Sequence, residues 1–192
     1  MKNRQIAFIT QTAVMLALLV GAQFITRSFG QFVTGALVNL ILLVSIFTVG
    51  LGGGLTVAVV SPFLAFMVGI GPAFIQVVPF VAVGNAILVI TAYVVRNHIV
   101  RKSLKGKAIT ALGLIAASSA KTLFLWIGLV IIALPLIPGI NEKQITVISA
   151  AFSWPQLITA LVGSALAMVV TPLLKTAIKS GKECENYGKE NH

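Results

Sequence analysis

The sequence predicts an all-α integral membrane protein, a bundle of six transmembrane helices with the N- and C-termini both cytoplasmic. Three observations lead there. Hydrophobic residues make up 58% of the chain and charged residues only 9%, with a mean hydropathy of +1.03, which excludes a soluble globular domain. The apolar residues fall in runs that suit bilayer crossings of about 20 residues, so 192 residues hold about five to seven crossings in one domain. The basic residues gather in short polar segments beside those runs. The net charge of +10 is therefore read as a topology signal and not as a nucleic-acid footprint.

The first crossing spans about Ile6 to Ile25, preceded by Lys2 and Arg4. A secretory signal peptide starts in a similar way, but this run is long and lacks a small-x-small cleavage site. Ala13, Ala17 and Gly21 recur every four residues and form a smooth helix face that suits close approach in lipid, by a neighbour in the bundle or by another subunit. A polar connector, Thr26 to Gln31 with Phe29 in it, leads to the second crossing at about Phe32 to Val49. Thr34 and Asn39 are its polar groups, and Asn39 lies near mid-depth, where an amide needs a hydrogen-bond partner on another helix. Gly50 to Gly54 reads as a tight, uncharged turn, without the spacing or the Lys-Ser/Thr ending of a phosphate-binding loop.

The third crossing, about Leu55 to Val68, contains Ser61-Pro62, and a proline there kinks the helix and frees a carbonyl. Gly69 to Pro72 breaks the chain before a fourth crossing from about Ala73 to Val95, which carries Gln76, Pro79 and Asn85. Arg96, Arg101, Lys102, Lys105 and Lys107 follow within twelve residues and mark a cytoplasmic connection. The fifth crossing runs from about Ala108 to Leu134, and the sixth from about Val147 to Leu174 with Trp154-Pro155-Gln156 in its first turns. Residues 1–180 form the membrane domain, and 181–192 read as a polar, disordered tail.

Charge tests the count. With the N-terminus inside, eleven basic residues fall on cytoplasmic segments and only Arg27 and Lys143 outside. That asymmetry supports six crossings in this orientation.

Lys121 is the residue that points to function. It lies near the middle of the fifth crossing, where an ionisable group costs roughly 3 kcal/mol and by default faces a partner or a wet cavity. The chain has no Asp, and its four Glu residues, Glu142, Glu183, Glu185 and Glu190, all lie outside the apolar runs. Backbone carbonyls, water, a deprotonated state or a ligand oxygen remain, and a ligand with an acidic or carbonyl oxygen is the favoured reading. Ser118, Lys121 and Thr122 share a helix face, with Trp126 beside Thr122. Asn85 comes to the depth of Lys121, while Gln76, Trp154 and Gln156 lie in the outer halves of their helices. These positions predict a cavity open to the exterior, with a cationic floor and aromatic walls. The alternative is a structural lysine bonded to carbonyls near the Pro62 or Pro79 kink.

Neither a metal site nor a cofactor is implied: Cys184 is the single cysteine, and His98 and His192 lie far apart in polar segments. A secondary carrier needs embedded acids or a duplicated half-structure, and neither is evident. An intramembrane enzyme would have to use Ser118 or Ser119 with Lys121 as a Ser-Lys pair, a spacing shared by any polar helix face.

In size, in six spans with both ends inside, in Ala13-x-x-x-Ala17, and in the last helix (Leu157 to Gly163 through Leu173-Leu174-Lys175), the chain resembles an S component. That is the substrate-capturing subunit of an energy-coupling factor (ECF) transporter. The resemblance covers nearly the whole chain. It implies that Ala13, Ala17 and Gly21 dock on a transmembrane coupling subunit, the T component. It further implies two cytoplasmic ATPases and a bacterial-type cell membrane, with a vitamin-like or nucleobase-like nutrient bound near the exterior and released inward as the subunit topples. The implied pocket uses the first loop and helices four to six, and depth places Gln31, Gln76, Asn85, Lys121, Trp154 and Gln156 there; the segment Phe29 to Phe32 is read as a lid over it.

Overall fold

The computed structural model describes residues 2–72, 74–99 and 106–190. Among the described residues seven α-helices follow one another: α1 Lys2–Thr26, α2 Gln31–Thr48, α3 Leu51–Met67, α4 Val78–Val94, α5 Gly106–Phe124, α6 Glu142–Ala151 and α7 Trp154–Glu190. Five helical stretches are long and apolar enough to cross a membrane, and α3 is a shorter sixth. At 17 residues α3 is about 25 Å long, somewhat less than the ~30 Å of a hydrocarbon core.

Several boundaries differ from the sequence expectation, each for a local reason. The glycine segment is mostly helix. Gly50 alone makes the turn, with φ of 97°, and α3 starts at once so that Gly53 and Gly54 can pack. A Cβ on Gly53 would lie 2.4 Å from Val49 Cγ1. Pro79 falls at the start of α4, where its missing N–H has no helical partner anyway, so it makes no kink. Beyond Phe124 the fifth helix widens into a π-helical stretch, Leu125–Ala133, and then a 3-10 turn, Leu134–Leu136.

The expected continuous sixth helix is two helices. Asn141 and Gln144 form a reciprocal capping box that starts α6. Pro155 then prevents continuation, because it has no N–H for the carbonyl of Ala151. α7 begins at Trp154 and, with no proline after Pro172, runs through Glu190. Of the basic fourth-to-fifth connection, 101–105 lie outside the described residues.

Packing divides the bundle into two halves. α2 is central, with its most extensive interface on α7 and further contacts to α1, α3 and α4. Leu43, Ile46, Val57, Leu88 and Leu114 fill the half nearer Gly50. In the other half a smaller core of Val77, Leu125 and Leu129 packs with Phe80 and Phe152, and the cavity described below lies beside it. Outward positions such as Ile9, Leu112, Ile131 and Leu173 remain exposed, as a lipid-facing surface requires.

Candidate functional site

The cavity has a volume of about 320 Å³ and is bounded at its mouth by Arg27, Gly30 and Gln31, by Ile70 to Pro72, and by Ala151, Phe152 and Gln156. Those segments all lie at the bundle end away from Gly50. Lys121, Asn39 and Asn85, from α5, α2 and α4, form the floor.

The floor is a three-helix hydrogen-bonded unit. Lys121 Nζ donates to Asn39 Oδ1 at 2.6 Å and to Asn85 Oδ1 at 2.8 Å. All three side chains are nearly inaccessible, at 3%, 1% and 2% exposed. Asn39 Nδ2 donates back to the Gly35 carbonyl at 2.8 Å, which turns its oxygen toward the lysine. Asn85 also gives its oxygen to the lysine. A third lysine hydrogen is left over. The free group at the floor is therefore a donor.

Electrostatically the site is one-signed. Its lining includes Lys121 and Arg27 and no acid, and two amide dipoles solvate the amine without neutralising a charge. Asn39 is held in place by close helix packing: a Cβ on Gly163 of α7 would sit 2.6 Å from Asn39 Cβ and 2.7 Å from the Ala36 carbonyl. Glycine at 163 is what lets α7 press this near.

The mouth is fastened through the carbonyl that Pro155 leaves free. Ala151 O accepts from Gln31 Nε2 and, at 3.4 Å, from Gln156 Nε2. Beside this junction the Phe32 and Trp154 rings lie 5.9 Å apart. The start of α2 is thereby tied to the α6–α7 corner. Arg27 lies over the Phe24 ring at 4.9 Å, which orders its guanidinium at the entrance.

Of the residues singled out in the sequence, Lys121, Asn85, Gln31 and Gln156 come together on the cavity. Gln76, Trp126, Trp154, Ser118 and Thr122 do not line it. Gln76 falls in the 3-10 turn Ile75–Val77 before α4 and is exposed. Trp126 is five residues past Lys121, about 140° around a helix, and is 45% exposed on the outer surface. Trp154 stacks outside on Phe32, so the aromatic at the cavity is Phe152. Ser118 bonds to the Leu114 carbonyl at 2.8 Å and pairs with Ser164 at 3.2 Å, and Thr122 bonds to the Ser118 carbonyl at 2.8 Å. The Ser118 hydroxyl and the Lys121 amine thus have separate partners.

The lysine's partners are side-chain amides, which neither the ligand reading nor the proline-kink alternative anticipates. Asn39, Gln23, Ser61 and Phe152 are lining residues that the sequence reading left out of the site. Asn39 gave a usable signal, since counting from the helix ends puts it level with Lys121 and Asn85. On α1, Ala13 and Ala17 are exposed, and nothing lies within 4 Å of a Cβ placed on Gly21. α1 is also the least buried of the long helices.

Fold and cavity define a polytopic helical membrane protein with a polar chamber at one end, lined by two basic residues and no acid. The chain belongs to the substrate-specific components of ECF transporters: the family described as "ECF transporter, substrate-specific component" matches over residues 8–175. No curated protein and no solved structure matches it. The chain is accordingly a multi-pass membrane protein and a substrate-specific uptake component.

Proposed function

We propose that the chain captures a small extracellular nutrient bearing an acidic or carbonyl oxygen and hands it inward, with a transmembrane coupling subunit and two cytoplasmic ATPases supplying the drive. The observation that carries this reading is the Lys121 amine. It is buried at the floor of a 320 Å³ cavity with amide oxygens on one side and no acid in the lining. Such a group has a donor to give and a positive field to offer, and an oxygen-bearing ligand supplies what the protein withholds. The volume suits a compact, one- or two-ring compound at the small end of ligand pockets.

The orientation follows from charge, with the cavity mouth outside and the N-terminus in the cytoplasm. Gln31 and Gln156 then close the outer entrance through Ala151. The exposed Ala13 and Ala17 face of α1 docks on the coupling subunit, since the bundle leaves that face without a neighbour.

Native mass spectrometry of the protein purified in mild detergent tests the reading, followed by a thermal-shift panel of carboxylated vitamins and nucleobases. A retained or stabilising compound with an acid or carbonyl oxygen is the expected result. Retention of nothing, together with no shift across the panel, would contradict it.

A further inference from the structure

Among the described residues, three buried side-chain oxygens have no hydrogen-bond partner: Gln23 Oε1, Ser61 Oγ and Thr171 Oγ1. Gln23 and Ser61 both line the cavity, and Ser61 is only 1% exposed. Hydroxyls elsewhere in this bundle behave differently. Thr12, Thr26, Thr48, Ser118 and Thr122 each donate to the carbonyl one turn back in their own helix. Ser61 stands directly before Pro62, and a proline inside a helix opens the preceding turn. Thr171 precedes Pro172 in the same manner, but away from the cavity. The cavity places the free Ser61 hydroxyl where a ligand can use it.

Gln23 lies nearer the mouth than the floor does, while Ser61 lies close to the level of Asn85, which is seven residues from the Val78 end of α4. Asn39 is eight residues from the Gln31 end of α2, Ser61 six from the Met67 end of α3, and Gln23 three from the Thr26 end of α1. Those offsets correspond to about 12, 9 and 5 Å of helix rise. The floor offers donors only, whereas Gln23 Oε1 accepts and the Ser61 hydroxyl does both.

We infer that Gln23 and Ser61 form a second polar contact on the cavity wall, apart from the Lys121 amine, so that the ligand carries an O–H or N–H group in addition to the oxygen that meets Lys121. The inference rests on the capture function proposed above. The ligand class is a small polar heterocycle with donor and acceptor at separate positions. A plain carboxylic acid would satisfy the floor and leave Gln23 Oε1 unpartnered.

The test uses Ser61→Ala and Gln23→Leu beside the wild type, by calorimetric titration and melting in detergent. Two probe pairs are compared, nicotinate with 6-hydroxynicotinate and hypoxanthine with 1-methylhypoxanthine. Each pair shares the acid or carbonyl oxygen; 6-hydroxynicotinate, as its pyridone tautomer, adds a ring N–H together with a second carbonyl, and 1-methylation of hypoxanthine replaces a ring N–H by a methyl group. The donor-bearing member should bind the wild type about three- to tenfold more tightly, and each variant should erase that advantage. Ligand-free Ser61→Ala should melt at the same or a higher temperature, because an unpartnered buried hydroxyl is removed. Equal binding within both pairs, survival of the preference in both variants, or a ligand-free Ser61→Ala that melts lower would overturn the inference. If none of the four binds while the native protein retains another compound, the ligand class is wrong. If it retains none, the capture function fails with it.

Discussion

The amine of Lys121 and the amide oxygen of Asn39 meet at 2.6 Å across 82 positions of sequence, joining α5 to α2 at the floor of the chamber. The contact supplies one of two amide oxygens to the buried amine, and it does so without a counter-charge. That distinction makes the pair testable by changing one atom. Asn39→Asp puts a carboxylate in the same place and neutralises the lysine within the chain. The variant is expected to melt no lower than the wild type while losing affinity for an acidic ligand by about tenfold or more. Undiminished binding of such a ligand by Asn39→Asp would show that the field of the lysine is not what attracts it.

Removal of the amide has a different signature. Asn39→Ala leaves Lys121 with Asn85 as its only protein acceptor and should destabilise the empty protein by about 1–3 kcal/mol, read as a lower melting temperature in detergent.

Gly163 positions Asn39 without touching the chamber. Gly163→Ala drives a methyl against Asn39 Cβ and the Ala36 carbonyl, so α7 must shift away from α2. Overpacking of this kind costs about 1–3 kcal/mol, and ligand affinity should fall in parallel. A variant with wild-type melting and binding would mean that the α2–α7 seam does not set the floor.

The mouth allows a kinetic prediction. Gln31→Leu combined with Gln156→Leu removes both donors to Ala151 O. Ligand dissociation, followed by stopped-flow or surface-immobilised binding, should accelerate by a few-fold to about tenfold, with a smaller change in the association rate.

The α1 surface separates capture from coupling. Ala13→Trp or Ala17→Trp should leave ligand binding by the isolated chain intact, since both positions are exposed. Co-purification with a coupling subunit and its ATPases should be lost. Loss of ligand binding in these variants would instead assign the face to the bundle.

Hydropathy and charge made much of this architecture readable before any coordinates, because bilayer-crossing helices announce themselves by length and composition. What escaped was governed by single residues acting on backbone. Gly53 and Gly54 look like a turn until the neighbours that need their missing side chains are known. Pro155 looks like an early helix residue until the freed Ala151 carbonyl shows that two helices meet there. In the chamber, Lys121 and Asn85 could be placed by depth, but depth does not say which side of a helix faces inward. Trp126 illustrates the difficulty: it is close to Lys121 in sequence and faces the outer surface, where its ring contributes to the lipid boundary. Asn39 was seen as a polar group in need of a partner, and its pairing with the lysine depends on a helix contact that spacing alone does not encode.

The most direct measurement is the affinity of Lys121→Met for the compound released from the native protein, by calorimetry on matched detergent preparations. Methionine keeps the length and apolar character of the stem and deletes the donor. The account predicts an affinity about ten- to hundredfold weaker, the worth of a hydrogen bond to a charged group, with the folded bundle retained. Unchanged affinity would remove the lysine from the site and contradict the central claim.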